Sequence, residues 1–274
     1  MKSLFLVLLS LLTTSSLAAS PKFDTIDQDD FNKISKEFGA NAVHALVAPA
    51  NPLGEIFGVE AGINAGATKT PEIEKLVKEQ DSSVSIGAIP HANLFAAVSV
   101  PFGITFELTY LPSADLGDVS VGGNSQAIKW NFDRILFPKV PILNMALRVH
   151  RSSFNLDFDQ TINNSSTGNI DVNSTIDLDT TTWGAHLMAG ANLFIFKPYA
   201  GFGYVSTKTE LDVDASTGTI FDTSFSTNQK ESKSHSGTHY FVGSELDLLL
   251  LHIGIEYAKI MDIDRYTAKF SLAF

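Results

Sequence analysis

The chain contains no cysteine. This excludes disulfide frameworks, thiolate metal sites, cysteine nucleophiles and a lipid anchor on an N-terminal cysteine. No apolar run reaches the ~18 residues that a membrane-spanning helix needs. Charge is sparse: Asp, Glu, Lys and Arg make up 18% of the 274 residues, against roughly 25% in soluble domains. The balance is acidic, with a formal net charge of -11. No basic stripe interrupts it, so nucleic acid is not an expected partner. Yet 44% of the residues are hydrophobic. A chain this apolar without a helical span either buries a large core or faces lipid through strands.

The first residues read as an address. Lys2 supplies a positive start, Leu4 to Leu12 an apolar stretch broken only by Ser10, and Ser16-Leu17-Ala18 small residues at a cleavage site. This predicts a signal peptide over 1–18, with Ala19 as the second-choice cleavage position. The alternative is an uncleaved anchor, which would need a longer apolar run.

The last ten residues alternate without a break. Tyr266, Ala268, Phe270, Leu272 and Phe274 are apolar, while Arg265, Thr267, Lys269, Ser271 and Ala273 are small, polar or charged. Period two gives a strand with one greasy face and one polar face. The terminal aromatic with alternating apolar residues before it resembles the C-terminal signal by which outer-membrane barrels are recognised for assembly. Tyr266, Phe270, Leu272 and Phe274 carry that resemblance, which implies the barrel assembly machinery as a partner. The other reading is an edge strand of a secreted sandwich.

The same alternation recurs in Phe57 to Ile63, Ile104 to Tyr110, Ile128 to Asp133, Leu143 to His150, Trp183 to Gly190 and His252 to Tyr257. Weaker strands lie near Asn93 to Val100, Tyr199 to Val213 and Thr238 to Leu248. About ten strands result, an even number as in single-chain outer-membrane barrels. Every second connection is short: Pro101 to Gly103, Phe137 to Lys139, Phe196 to Pro198 and Leu249 to Leu251. Those between are mostly long and polar: Thr68 to Pro90, Gln160 to Thr180 and Ala215 to Ser236. Short turns at one end and long loops at the other are the pattern of such barrels.

The polar face carries scattered charges of both signs. Glu60, Glu107, Lys129, Arg148, His150, His186, Glu256, Arg265 and Lys269 are the expected lumen-lining residues. An unpaired charge there would be costly, so pairing across the lumen is expected. The 20 phenylalanines suit a lipid face and its girdles, with outer-membrane lipids as partners.

Together, the leader, a short helix before the barrel, the segment NAVHALVAPANP (Asn41 to Pro52), the Gly-rich strand FGVEAGINAG and the aromatic C-terminus resemble an uncharacterised bacterial outer-membrane β-barrel family of the domain-of-unknown-function type. A looser similarity runs to long-chain fatty-acid channels, which also place an N-terminal segment inside the barrel. The resemblance implies a barrel in the outer membrane of a Gram-negative bacterium. It supplies no substrate and no site.

Asp27 to Gly39 reads as a helix, capped by Asp27, with Phe31, Ile34 and Phe38 on one face and Gly39 at the C′ position. It is either a plug inside the lumen or a helix across the periplasmic mouth, and Asn41 to Pro52 is small enough to thread the lumen. Thr70-Pro71-Glu72 starts a second helix, to about Lys78, in the first long loop. Ser152 to Asp159 and Asn169 to Asp179 extend the alternation into a hairpin standing proud of the membrane, with a turn at Asn163 to Gly168.

Spaced carboxylates on that hairpin make Asp177 and Asp179 weak candidates for a hard cation; the plain reading is an acidic, solvated rim. His150, His186 and His252, with Ser99, Glu107 and Glu256 as potential neighbours, match no hydrolase signature. No catalytic residue and no cofactor are expected. The organisation is a leader (1–18), an N-terminal helix and possible plug (19–52) and an all-β, transmembrane, antiparallel up-and-down barrel (53–274). The expected function is a narrow or gated channel for small solutes or hydrophobic ligands. The alternative is a closed structural or surface-interaction barrel acting through its protruding hairpins.

Overall fold

Alternating sequences pair most readily with their neighbours in the chain, and a sheet with one apolar face loses its exposed edges only by closing. The computed structural model shows this outcome. It describes residues 28–54, 56–80, 82, 87–115, 119–133, 142–164, 170–214, 218–220, 223–225 and 229–274. The leader, the Asp27 cap, the 137–139 turn and most of the 163–168 turn lie outside the described residues.

The elements in order are α1 (Gln28–Ala42), β1 (Gly58–Lys69), α2 (Pro71–Gln80), β2 (Ala88–Val100), β3 (Ile104–Asp115), β4 (Val119–Asn131), β5 (Leu143–Asn164), β6 (Ile170–Ala191), β7 (Phe196–Asp214), a small hairpin of β8 (Gly218–Ile220) and β9 (Thr223–Phe225), β10 (Gln229–Leu248), β11 (Leu251–Ile260) and β12 (Ile263–Ala273). Ten of these strands form one closed antiparallel barrel, β1-β12-β11-β10-β7-β6-β5-β4-β3-β2. The tail closes it. Ile63 stands opposite Phe270, and Val59 and Phe274 exchange backbone hydrogen bonds of 2.8 Å.

Several expected connections are shorter than the sequence suggested. Much of 160–180 and the stretch 229–236 belong to strands, because β5, β6, β7 and β10 run for 19 to 22 residues while the others have 10 to 13. Polar residues there continue the ladder beyond the apolar band. The turn before β7 is at 192–195, with Phe194 in the left-handed region (φ 63°), so Phe196 to Pro198 already belong to the strand. Pro198 faces Ser244 of β10 and precedes the first β6 pair, so no ladder needs its missing N–H on that side.

The four tall strands rise as a hood above the rest of the wall. Along them the apolar phase changes. On β5, Leu147 and Val149 are exposed outside, while Phe154 and Leu156 turn inward; on β6, Trp183 and Leu187 are outside and Ile176 and Leu178 inside. The β5–β6 register is continuous from Leu143 to Asn164, so no bulge causes this. The change is in chemistry. The lower wall is apolar outside and polar inside, and the hood is the reverse.

The hood has a core of its own. Phe31 and Ile34 of α1 and Ile73, Leu76 and Val77 of α2 bury against Ile176, Leu178, Leu211 and Val213. α1 runs three residues beyond the expected stop. Gly39 is inside the helix, where a Cβ would lie 2.6 Å from the Thr207 hydroxyl, so its role is close approach to β7 and not a cap. The helix therefore sits at the end of the long loops, within the hood, and not across the mouth where β1 begins.

Candidate functional site

From α1 the chain passes down the centre of the barrel, and residues 41–50 are all buried. This segment belongs to no sheet, so its backbone carbonyls need other donors. The wall supplies them. Arg265 donates from both terminal nitrogens to the carbonyls of Val43 and His44 (2.6 and 3.1 Å), and Arg148 donates to Leu46 (3.2 Å). Lys129 donates to Pro49 and Asn51 (2.8 and 3.2 Å), and the Asn131 amide donates to Ala50. The side chains of Val43, Val47 and Ala50 rest on an apolar stripe that includes Ala146, Met188, Tyr199 and Phe241. The plug is thus held by directional bonds on its carbonyls and by apolar contact on its side chains.

Around it the wall charges form two clusters. In the upper one, Glu107 accepts from His44 Nε2 (3.1 Å) and lies 3.7 Å from Lys129 and 3.8 Å from Arg148. His44 Nδ1 is 2.6 Å from the Ser125 hydroxyl, which in turn is 2.5 Å from that of Thr109. In the lower cluster, Lys269 bridges Glu60 (2.7 Å) and Glu245, and the Ser271 hydroxyl donates to Glu60 (2.5 Å). His252 lies 3.6 and 3.5 Å from the same two carboxylates and 3.2 Å from Asp247, which pairs with Lys197 (2.6 Å). Glu256 accepts from the Tyr199 hydroxyl (2.8 Å).

Glu60, Glu245 and His252 are, among the described residues, the one group of three donors close enough to hold a metal ion. The Lys269 ammonium already sits between the two carboxylates and acts as their built-in cation.

Histidines run across the lumen. The rings of His44 and His150 stack at 5.6 Å, and those of His150 and His186 at 5.2 Å; His186 Nε2 and His239 Nδ1 are 2.8 Å apart. Neither ring nitrogen of His150 has a hydrogen-bond partner among the described residues. Such atoms are costly in a dry interior and inexpensive where water can reach.

At the upper end the plug helix is latched to α2. The buried Glu37 carboxylate accepts from the backbone N–H groups of Glu72 and Ile73 (2.8 and 3.0 Å), the free donors of the α2 first turn. Burial nonetheless pushes the Glu37 carboxyl up to about 7. His235 of the hood is 2.8 Å from the Ser35 hydroxyl, and burial lowers its basicity. Outside the hood, Asp177 stands opposite Asp157 and Asp212, and Asp179 opposite Glu210. Burial and these neighbours, Asp157 first, raise the Asp179 carboxyl, and Lys230 pairs with Asp212. Asp177 and Asp179 lie on this acidic outer row and belong to no three-donor group among the described residues.

The family model for a family of unknown function, DUF6588, matches residues 56–274, the whole wall from the start of β1 to the tail. The chain belongs to this family. The DUF6588 match leaves out α1 and the plug. No curated protein matches the chain. Among solved structures the chain is similar to the attachment invasion locus protein Ail of Yersinia pestis in complex with the heparin analogue sucrose octasulfate (TM-score 0.37, 12% identity, covering 81% of this chain and 100% of that one). It is also similar to the toluene transporters TodX of P. putida (0.34, 10%, 82% and 70%) and TbuX of Ralstonia pickettii (0.32, 7%, 81% and 91%). These are loose likenesses.

In this DUF6588 barrel, Glu60, Glu107, Lys129, Arg148, His150, His186, Glu256, Arg265 and Lys269 all lie inside the wall, each no more than 5% exposed. Tyr266, Phe270, Leu272 and Phe274 are on the outer face. Among the described residues, none of the rings of His150, His186 and His252 hydrogen-bonds a serine hydroxyl, whereas that of His44 does. Sequence reasoning missed His44, His239 and Glu245. A signal existed for the last two: His239, Phe241, Gly243, Glu245 and Asp247 alternate with the outward Tyr240, Val242 and Leu246. His44 lies in a stretch without periodicity, and only the fold brings it to Ser125 and Glu107.

Proposed function

We propose that this protein is an outer-membrane barrel whose polar lumen is a gated channel for small solutes, closed by its own N-terminal segment. The lower outer face suits lipid. Five of the six tyrosines, Tyr110, Tyr204, Tyr240, Tyr257 and Tyr266, and Trp183 point outward six to eight residues above the lower strand ends. At ~3.3 Å per residue and ~40° of tilt that is about 15–20 Å, most of the ~25 Å apolar band of such barrels. Phe102, Phe194 and Leu249 are about nine-tenths exposed in left-handed turns at the lower rim (87%, 91% and 91%). Water gives no reason to expose large apolar groups on a strained backbone; a lipid interface does. Above the girdle the apolar side turns inward, as water on the outside requires.

One observation carries the gating reading: the lumen is closed by a separate stretch of chain and not by the wall. A barrel built only for support could fill its interior with apolar side chains, which is often at least as stable as buried ion pairs. Here the wall keeps buried charges and bonds the plug through its carbonyls, so withdrawal of the plug leaves a lining that water can solvate. The hood, with its own core, favours the second reading, a closed barrel with a surface role.

Planar-bilayer conductance of the refolded chain separates the two. The chain has no cysteine, so a disulfide can staple the plug. A Cβ on Gly190 lies 3.4 Å from that of Ala50, at the short end of the ~3.5–4.5 Å span of disulfides. The unmodified barrel is expected to open intermittently. The Ala50→Cys/Gly190→Cys barrel should stay silent until a reductant is added. Removal of residues 19–52 should give steady conductance. Silence in all three, with heat-modifiable migration intact, is the outcome of a permanently closed barrel.

A further inference from the structure

We infer that Ser125, His44 and Glu107 form a nucleophile, base and orienting carboxylate, and that the closed barrel hydrolyses short neutral carboxylic esters. The three residues come from three elements: β4, the plug and β3. Glu107 accepts from His44 Nε2 at 3.1 Å, which fixes the tautomer that leaves Nδ1 free to accept. Nδ1 is 2.6 Å from the Ser125 hydroxyl. That is the arrangement an activated serine needs: nucleophile and base in hydrogen-bond reach, and the base oriented by a third group. Lys129 and Arg148, 3.7 and 3.8 Å from Glu107, help to hold it in place.

A second observation is independent of this contact. Ser125 lines an open-sided recess of about 50 Å³ between the plug and the β2–β5 wall, room for a short acyl group with the rest of an ester projecting from the open side. Leu111 and Phe154 supply apolar surface there, and Asn93, Thr109 and Ser152 neutral polar groups. The Ser152 hydroxyl is buried with no hydrogen-bond partner among the described residues, and is available to a carbonyl oxygen. Among the described residues, no carboxylate, lysine or arginine lines the recess, hence the choice of a neutral substrate.

In the reaction, the Ser125 oxygen bonds to the ester carbonyl carbon while its proton passes to His44 Nδ1. The C–O bond to the alcohol then breaks, and the leaving oxygen takes that proton. Water, giving a proton to the same nitrogen, attacks the acyl-serine. The serine oxygen recovers the proton as the acid leaves. His44 belongs to the plug, so the activity is a property of the closed barrel and needs no passage through it.

The test uses the full refolded chain, a fluorophosphonate probe and p-nitrophenyl acetate. The probe is expected on the Ser125 peptide and absent in Ser125→Ala and His44→Ala. Glu107→Gln should slow ester hydrolysis about 100-fold or more, and Ser99→Ala, remote from the recess, should leave it unchanged. The stapled, non-conducting Ala50→Cys/Gly190→Cys barrel should keep the activity, which separates this inference from the channel reading. A further variant, Ser125→Cys, places a single thiol in the chain. Its alkylation should be about tenfold or more faster than in Ser125→Cys/His44→Ala. No label on Ser125 in a heat-modifiable barrel, or equal alkylation rates, would overturn the assignment.

Discussion

At the residue scale, the two arginines of the lumen do different work. Arg148 reaches one plug carbonyl and rests over the Phe241 ring at 5.1 Å, so part of its role is packing. Arg265 spends its fork on two consecutive carbonyls at the place where the plug leaves α1. Replacing it by methionine keeps most of the volume and removes both donors. Each carbonyl left without a partner in a dry interior costs about 1–3 kcal/mol. Arg265→Met should therefore raise the opening frequency in single-channel records by about tenfold or more, while Arg265→Lys, which keeps one donor, falls between. Unchanged records for Arg265→Met would show that apolar contact alone holds the plug.

At the scale of elements, the α1–α2 latch is the place where pH acts. The Glu37 carboxyl titrates about 7 in the folded protein against 4.5 in an unfolded chain. A raised value means the folded state binds the proton more tightly. The contribution is fully present below about 4.5 and is lost as pH rises through about 7. Hydrogen exchange of the α2 amides, corrected for the intrinsic rate, should rise across that interval by one to two orders of magnitude, roughly what such a shift allows. Glu37→Gln keeps an acceptor and cannot ionise, so its profile should be flat. A wild-type profile that is equally flat would mean the carboxylate is solvated in the latch. None of this was legible in the sequence. In the sequence Glu37 is one charge among several on a helix, nothing marks it as buried, and its partners lie 35 and 36 positions away. The strands were legible because period two is a local property. Below the girdle their faces hold from Val59 to Phe274, and the nine charged or histidine positions read as lumen-lining fall inside the wall. The plug segment has no period, and its route is fixed by bonds between residues 63 to 222 positions apart, such as His44 to Glu107 and Val43 to Arg265.

At the scale of the whole molecule, the phase change along the tall strands is the feature to weigh. It was visible in the sequence as a shift of the apolar set from odd to even positions across Arg151 to Ser153 and back from even to odd across Thr180 to Thr182. Its meaning depended on knowing that the register does not slip. An unslipped ladder with its apolar side exchanged midway implies two different solvents against one continuous outer surface, and Trp130 and Trp183 report on the boundaries. Both are exposed on the outer face, Trp130 one residue from the lower end of β4 and Trp183 eight residues above that of β6. If the band between them is in lipid, each ring sits near one interface, where tryptophan is enriched. In vesicles of brominated phosphatidylcholine, Trp130→Phe and Trp183→Phe each leave a single fluorophore. Both should be quenched more by bromines near the headgroup than by bromines near the acyl terminus. A water-soluble quencher added outside should reach Trp183 and Trp130 unequally, because they face opposite leaflets. Quenching of neither ring by any brominated lipid would remove the bilayer from this outer face, and with it the reason for the apolar side to change.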